Sequence, residues 1–275
     1  MNRLLCLAMC LAVAECSPVT PPDAREPAPA AVVADDGKQA LPAANEMERL
    51  ARDNPIGFLE DCIRRYQREV KGYRCTFQKQ ERLEGKLQDK EVIEAWYREK
   101  PHSALFHWLS GARRADAALY VEGENNDKML ARPRGELQRA VAGEVVERDL
   151  DSADARQSGR YTLKEFGIKE SSLRTLATWQ EAKKNGSLHV EYLGLIKVKE
   201  AGDRECYGFH RTGYDKPDAD GVSDLKVYFD KETWLQVGSV LKGDGNKLLG
   251  EYYFRDIQLN PDFKPDQFTR AGLKP

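Results

Sequence analysis

From Tyr73 to Gly135 the sequence alternates apolar and polar residues in short runs broken by turn residues, and this two-residue period commits the stretch to antiparallel strands. Tyr73, Cys75 and Phe77 fall on one face of a first strand, with Arg74, Thr76 and Gln78 on the other. After a turn at Gly85, the run EVIEAWYREK places Ile93, Ala95 and Tyr97 together and Glu94, Trp96 and Arg98 opposite them. Pro101 has no amide proton to offer and breaks the ladder. A third strand groups Ala104, Phe106 and Trp108, a fourth groups Leu119 and Val121, and a fifth runs from Lys128 to Arg132 after the turn Glu124-Asn125-Asn126-Asp127. The pattern predicts one meander with a single apolar face.

Such a face must be covered, so the remaining chain is read for what can cover it. Asn54 is a capping residue, Pro55 suits the first helical position, and Ile56, Leu59, Ile63, Tyr66 and Val70 recur at spacings of three and four. This predicts an amphipathic helix ending at Gly72, with a short helix over 46–52 before it. A second helix is predicted from Ser171 to Lys184, capped by Ser171 or Ser172 and stopped at Asn185-Gly186. Between Gly135 and this helix no period is legible. Afterwards SLHVEYLG, LIKVKEAG, RECYGFHRTG, DLKVYFD, WLQVGSVLKG and LLGEYYFRDIQL each read as a strand, which brings the expected number to about eleven. The fold class expected is mainly β (α+β): a strongly curved antiparallel sheet, in effect a half-barrel, with helices in its hollow.

The first residues concern address. Met1-Asn2-Arg3 and the apolar run LLCLAMCLAVA read as an export signal over 1–14, since the run is too short for a finished membrane helix. Cleavage after Ala12-Val13-Ala14 starts the mature chain near Glu15; the rival reading is lipidation of Cys16, which anchors the chain to a membrane. Residues 15–45, rich in Pro, Ala and Asp and without aromatics, read as a disordered tether, and 46–275 as the folded domain. The location expected is therefore the periplasm or cell envelope.

Charge and chemistry exclude more than they include. The 43 basic and 45 acidic residues are interspersed and sum to -2, which leaves no whole-protein field for nucleic acid. His102 and His107, five apart, fall on opposite sides of a strand, and with His189 and His210 they match no metal or catalytic spacing. In Asp215-Lys216-Pro217-Asp218-Ala219-Asp220-Gly221, aligning Gly221 with the invariant glycine of a calcium loop puts Lys216 and Val227 where carboxylates are needed. There is no nucleophile elbow and no phosphate-cradling glycine loop. Paired carboxylates such as Glu91 and Glu94 carry little information in a chain that is 32% charged. No enzyme, cofactor or metal is expected. Of the cysteines, Cys62, Cys75 and Cys206 all sit beside inward positions; buried free thiols and a Cys75–Cys206 disulfide both remain open.

The order helix, YRCTFQKQE, EVIEAWYREKP, SALFHWL, ALYVEGENNDKML, helix, LKVYFD and LLGEYYFRDIQLNPDF resembles the bacterial domain of unknown function 1571 family, over Asn54 to Phe268. That family is in turn similar to the lipoprotein-carrier group typified by LolA, LolB and LppX, with which the chain shares a Tyr-Arg strand ending in proline, the Glu122-Gly123 turn and the Leu259-Asn260-Pro261-Asp262-Phe263 tail. The resemblance implies a half-open barrel holding an acyl chain of a lipid or lipoprotein between concave sheet and helix lid, without catalysis. The carrier LolA is a soluble shuttle, whereas this chain reads as having a long tether and, if Cys16 is lipidated, an anchor, which sets the shuttle role apart. Tyr97, Phe106, Trp108, Leu225, Val227 and Phe229, aromatic or apolar and on predicted inward faces, are the candidate ligand contacts. The alternative expectation is an envelope structural or interaction protein whose hollow the helices fill.

Overall fold

The fold is a twelve-stranded antiparallel sheet, open at both edges and curved into a half-barrel; the structure, a computed structural model, describes residues 31–274. Two helices, α1 (Ala44–Asp53) and α2 (Pro55–Glu69), precede β1 (Gly72–Leu83), β2 (Lys86–Leu87), β3 (Glu91–Arg98), β4 (Ser103–Ser110), β5 (Ala115–Val121) and β6 (Met129–Pro133). Then come α3 (Glu136–Ala142), β7 (Val146–Arg148), α4 (Ala153–Arg156) and α5 (Ile168–Lys184). The chain closes with β8 (His189–Val198), β9 (Arg204–Thr212), β10 (Asp224–Asp230), β11 (Gln236–Gly243) and β12 (Lys247–Leu259).

The strand order is β7-β6-β5-β4-β3-β1-β12-β11-β10-β9-β8, with β2 pairing only β1. Two meanders therefore meet at the central β1–β12 pair, where Phe77 faces Phe254 and Lys79 faces Tyr252. Because β7 and β8 lie at opposite edges, residues 149–188 have to cross the whole sheet. They cross its concave side and carry α5 with them. One core cluster joins α2, α5 and the inner faces of the strands.

Helix α2 begins as the sequence predicts: Gly57 N donates to the Asn54 side chain at 3.1 Å, with Pro55 next to the cap. Its Phe58, wholly buried, packs against Tyr207 (5.1 Å between ring centroids), Phe209 (5.0 Å) and Phe229 (5.5 Å). Those rings lie on β9 and β10, so α2 fills that half of the hollow.

Several expectations are corrected. Helix α5 starts at Ile168, after Gly167 (φ 150°); Ser171 and Ser172 are not caps, and the Ser172 hydroxyl bonds back to the Ile168 carbonyl (3.0 Å). SLHVEYLG and LIKVKEAG form one strand, β8, because a bulge at Tyr192/Gly194 with Gly194 at φ 87° carries the ladder through the glycine. Residues 31–43, assigned above to a disordered tether, lie along α2: Arg68 grips Asp35 with two bonds (2.7 and 2.6 Å), Gln67 Nε2 donates to the Val33 carbonyl (3.1 Å), and α1 begins already at Ala44. The export signal and Cys16 lie outside the described residues.

The single apolar face is also corrected. Ala104, Phe106, Ala118 and Tyr120 point into the hollow, whereas Leu105, Leu119 and Val121 form a second core on the outer face. The C-terminal segment 260–274 covers it through Phe263, Phe268 and Leu273. His107 fastens that cover to the sheet with a 2.8 Å bond between its Nε2 and the Gly272 carbonyl.

Cys62, Cys75 and Cys206 are separate buried thiols, so the Cys75–Cys206 bridge is not formed. Three strands stand between β1 and β9, a path along the sheet of about 19 Å at ~4.8 Å per strand, against the roughly 7 Å a disulfide can span between Cα atoms. Burial raises all three thiols, Cys206 to about 12. These three thiols are expected to resist iodoacetamide at neutral pH until urea unfolds the chain, as peptide mass mapping would check; rapid native labelling at any of them contradicts the packing. Phe58→Ala is expected to cost about 3–5 kcal/mol in urea denaturation, because no neighbouring side chain can collapse into the space left between three rings.

Candidate functional site

The other half of the hollow is not filled. Beneath the crossing segment lies a cavity of about 1040 Å³, lined from β1, β3–β7, β9–β12, α3 and α5. Its apolar floor is a ring cluster in which Phe166, from the crossing segment, contacts Phe106 (4.6 Å), Phe77 (5.1 Å) and Phe254 (5.9 Å). Phe77 and Phe254 stack across the central strand pair at 4.9 Å. At the mouth, α3 presents Leu137 and Val141, one helical turn apart and 80% and 85% exposed, to the cavity. No helix among the described residues is long and apolar enough to cross a membrane.

Beyond Phe77 the inner face of β1 changes character. Lys79 and Glu81 continue the inward alternation, are buried, and pair at 2.8 Å. Glu91 of β3 joins them, 3.8 Å from Lys79, and accepts from Trp108 Nε1 (2.6 Å) and Arg113 Nε (3.3 Å). Glu81 also accepts from the Tyr252 hydroxyl (2.8 Å) and the Arg160 amide (3.2 Å). Burial works against both charges of the Lys79–Glu81 pair, yet the carboxylates hold Lys79 above its ordinary value and Lys79 holds Glu81 below its own. This wall is a self-neutralised polar cluster with its hydrogen bonds satisfied.

A second polar wall is the loop 213–222, whose spacing does not fit a calcium loop. Its half-buried carboxylates are spent on protein donors: Asp218 accepts from Arg211 Nη1 (3.0 Å), and Asp220 accepts from the Tyr161 hydroxyl (2.8 Å) and, through its carbonyl, from Arg160 Nη2 (2.6 Å). Burial pushes Asp218 up to about 6, against the pull of Arg211.

The six candidate contacts divide. Phe106, Trp108 and Leu225 line the cavity. Tyr97, Val227 and Phe229 do not: Tyr97 is stacked on Tyr73 (4.9 Å) with its hydroxyl on Glu170, and Phe229 lies under Phe58. The alternation placed all six inward; what it did not show is which part of the hollow each helix takes. Lys79, Glu81 and Phe166 were missed, although the period through Tyr73, Cys75 and Phe77 extends to the first two. Glu91, set aside among uninformative carboxylates, is a cavity residue. No histidine or cysteine is among the described residues lining the cavity, and among those residues no cluster of three metal-ligating side chains occurs.

The model of the family described as "Protein of unknown function (DUF1571)" matches residues 70–272. The chain belongs to this family. The match takes in the entire sheet and most of its C-terminal cover, and starts just after α2. No curated protein matches in sequence. Among solved structures the chain is similar to the complex of Pseudomonas aeruginosa MucA/MucB, at 14% identity and TM-score 0.43, covering 78% of this chain and 62% of that one. It is also similar to a LolA superfamily protein from Nitrosomonas europaea (8%, 0.33, 78% and 98%) and to the Mycobacterium tuberculosis lipoprotein LppX (8%, 0.42, 77% and 98%). The chain thus spans less than two thirds of the length of the MucA/MucB chain it matches.

Lys79→Met, which strands Glu81 beside Glu91, is expected to cost about 3–5 kcal/mol, and adding Glu81→Leu to recover part of it; equilibrium denaturation of the two variants is the check. Asp218 holds its proton more tightly folded than unfolded, so its contribution is full below its ordinary value of 3.8 and is lost as pH rises through about 6. Urea denaturation between these limits should therefore show a shallower loss of stability with rising pH in Asp218→Asn than in the parent; parallel curves would contradict the assignment.

Proposed function

We propose that this chain is an exported binding protein that holds an acyl chain of a lipid or lipoprotein in the cavity between its curved sheet and crossing segment, without catalysis. The observation that carries this reading is the space left over: α2 fills the hollow over Tyr207, Phe209 and Phe229 of β9 and β10, while the rest, chiefly over β1 and β3–β6, remains a cavity of about 1040 Å³ floored by aromatic rings. A filled interaction module would leave no space near the ~300 Å³ at which ligand pockets begin. Transfer of hydrocarbon into such a cavity contributes about 0.8 kcal/mol per buried methylene, and Leu137 and Val141 of α3 extend the apolar path to the surface. In this reading residues 1–14 direct export, and Cys16 is the point at which a lipidated form would be anchored.

Filling the cavity tests the reading without touching its supports. Ala118 and Ala131 line it from neighbouring strands, so Ala118→Trp and Ala131→Trp insert a ring into empty space. Both variants are expected to keep the parent's unfolding midpoint within a few degrees and to lower binding of a fluorescent fatty-acyl probe by about ten-fold or more, the equivalent of two buried methylenes. Undiminished binding in folded variants would place the probe elsewhere and overturn the assignment.

A further inference from the structure

We infer that the cavity selects an acidic amphiphile, one whose headgroup carries a carboxylate or phosphate, and that Arg174 of α5 is the headgroup contact, with Arg211 a further cation of the same wall. The inference rests on the acyl-chain reading above. Charged side chains of both signs line the cavity, so what matters is which of them retain unused hydrogen-bonding capacity. The buried and half-buried carboxylates do not: Glu81 and Glu91 are held by Lys79 and Arg113, Asp218 by Arg211, Asp220 by Tyr161, and Glu165 by the amide and hydroxyl of Thr162.

Two cations do. The Arg174 guanidinium donates from Nη1 to the Glu165 carbonyl (2.9 Å) and lies 4.2 Å over the ring of Tyr161, and no carboxylate among the described residues pairs with it. A half-buried guanidinium held over a ring and bonded at one nitrogen has remaining donors unspent, and such a group can receive a carboxylate or phosphate in two-pronged fashion. Arg211 is 4% exposed, and its Nε has no hydrogen-bond partner although its Nη1 reaches Asp218. That Nε is closed off from the cavity, so Arg211 serves an entering anion through the positive charge it places on the wall. A cationic headgroup would be repelled here, and an uncharged one would gain at most ordinary hydrogen bonds without charge assistance. An anionic one gains charge-assisted hydrogen bonds while its chain lies on the Phe77, Phe106 and Phe166 floor.

The experiment is isothermal titration of the purified chain with dodecanoate, dodecyl phosphate, dodecyltrimethylammonium and dodecyl maltoside, each below its micelle concentration, with inorganic phosphate as a fifth probe. The two anionic amphiphiles are expected to bind about ten- to a hundred-fold tighter than the other two, with inorganic phosphate far weaker than either. Whether dodecanoate or dodecyl phosphate binds tighter then separates a fatty-acid from a phospholipid type of headgroup. Arg174→Gln should abolish the preference and keep the affinity for dodecyl maltoside, and Arg174→Lys should keep part of it. Equal affinity across the four amphiphiles, or preference for the cation, overturns the headgroup inference and leaves the cavity reading standing. Inorganic phosphate binding as tightly as dodecyl phosphate also overturns it. If no amphiphile binds, the acyl-chain reading itself falls.

Discussion

The strand order sets one constraint on which everything else depends. With the first and last strands paired at the centre, β7 and β8 are driven to opposite edges, and the chain between them has to pass from one edge to the other. The outer face over β3–β6 is already taken by the C-terminal segment, so the passage lies across the hollow. A sheet with an apolar concave face needs cover, and here the cover is supplied by two unrelated stretches, α2 from before the sheet and the crossing segment from its middle.

These two stretches cover it unequally. Phe58 brings α2 down onto three aromatic rings of β9 and β10 with no gap between. The crossing segment touches the floor through Phe166, and α5 then turns toward α2 and β11 rather than lying over β4 to β6. The cavity is the difference between the length of the concave face and the reach of the two covers. Its polar walls fit this account: where β1 runs past the aromatic cluster, Lys79, Glu81 and Glu91 neutralise one another with help from Tyr252 and Trp108, so that a buried charge cluster stands beside open space at tolerable cost.

Much of this was legible in residue order. The alternation at Tyr73, Cys75 and Phe77 and at Ile93, Ala95 and Tyr97 gave faces that burial matches, and Asn54-Pro55 gave the start of α2. What local pattern cannot convey is which of two apolar faces a distant segment will cover. Leu105, Leu119 and Val121 alternate against Ala104, Ala118 and Tyr120 with apolar residues on both sides, and only the tertiary fold of residues 260–274 explains the second set. The sequence misplaces the start of α5 because Ser172 bonds back to the Ile168 carbonyl, Ser171 accepts from Gln236 Nε2, and a glycine precedes the helix. Tyr97 and Phe229 were assigned to a ligand because strand period reports inward direction, not whether a helix already occupies the space there. Lys79 and Glu81 were passed over since charge on an inward position contradicts the simplest pattern, although such a contradiction is often where a cavity begins.

Native mass spectrometry with organic extraction, on the full chain expressed with export into a bacterial periplasm, tests the central claim most directly. The account predicts a reproducible mass above that of the mature polypeptide which leaves on extraction and is recovered as lipid bearing an acyl chain, with any covalent lipid at Cys16 accounted for by a Cys16→Ser control. A bare polypeptide mass that persists after incubation with lipid vesicles would contradict it and return the cavity to an unoccupied gap in an interaction module.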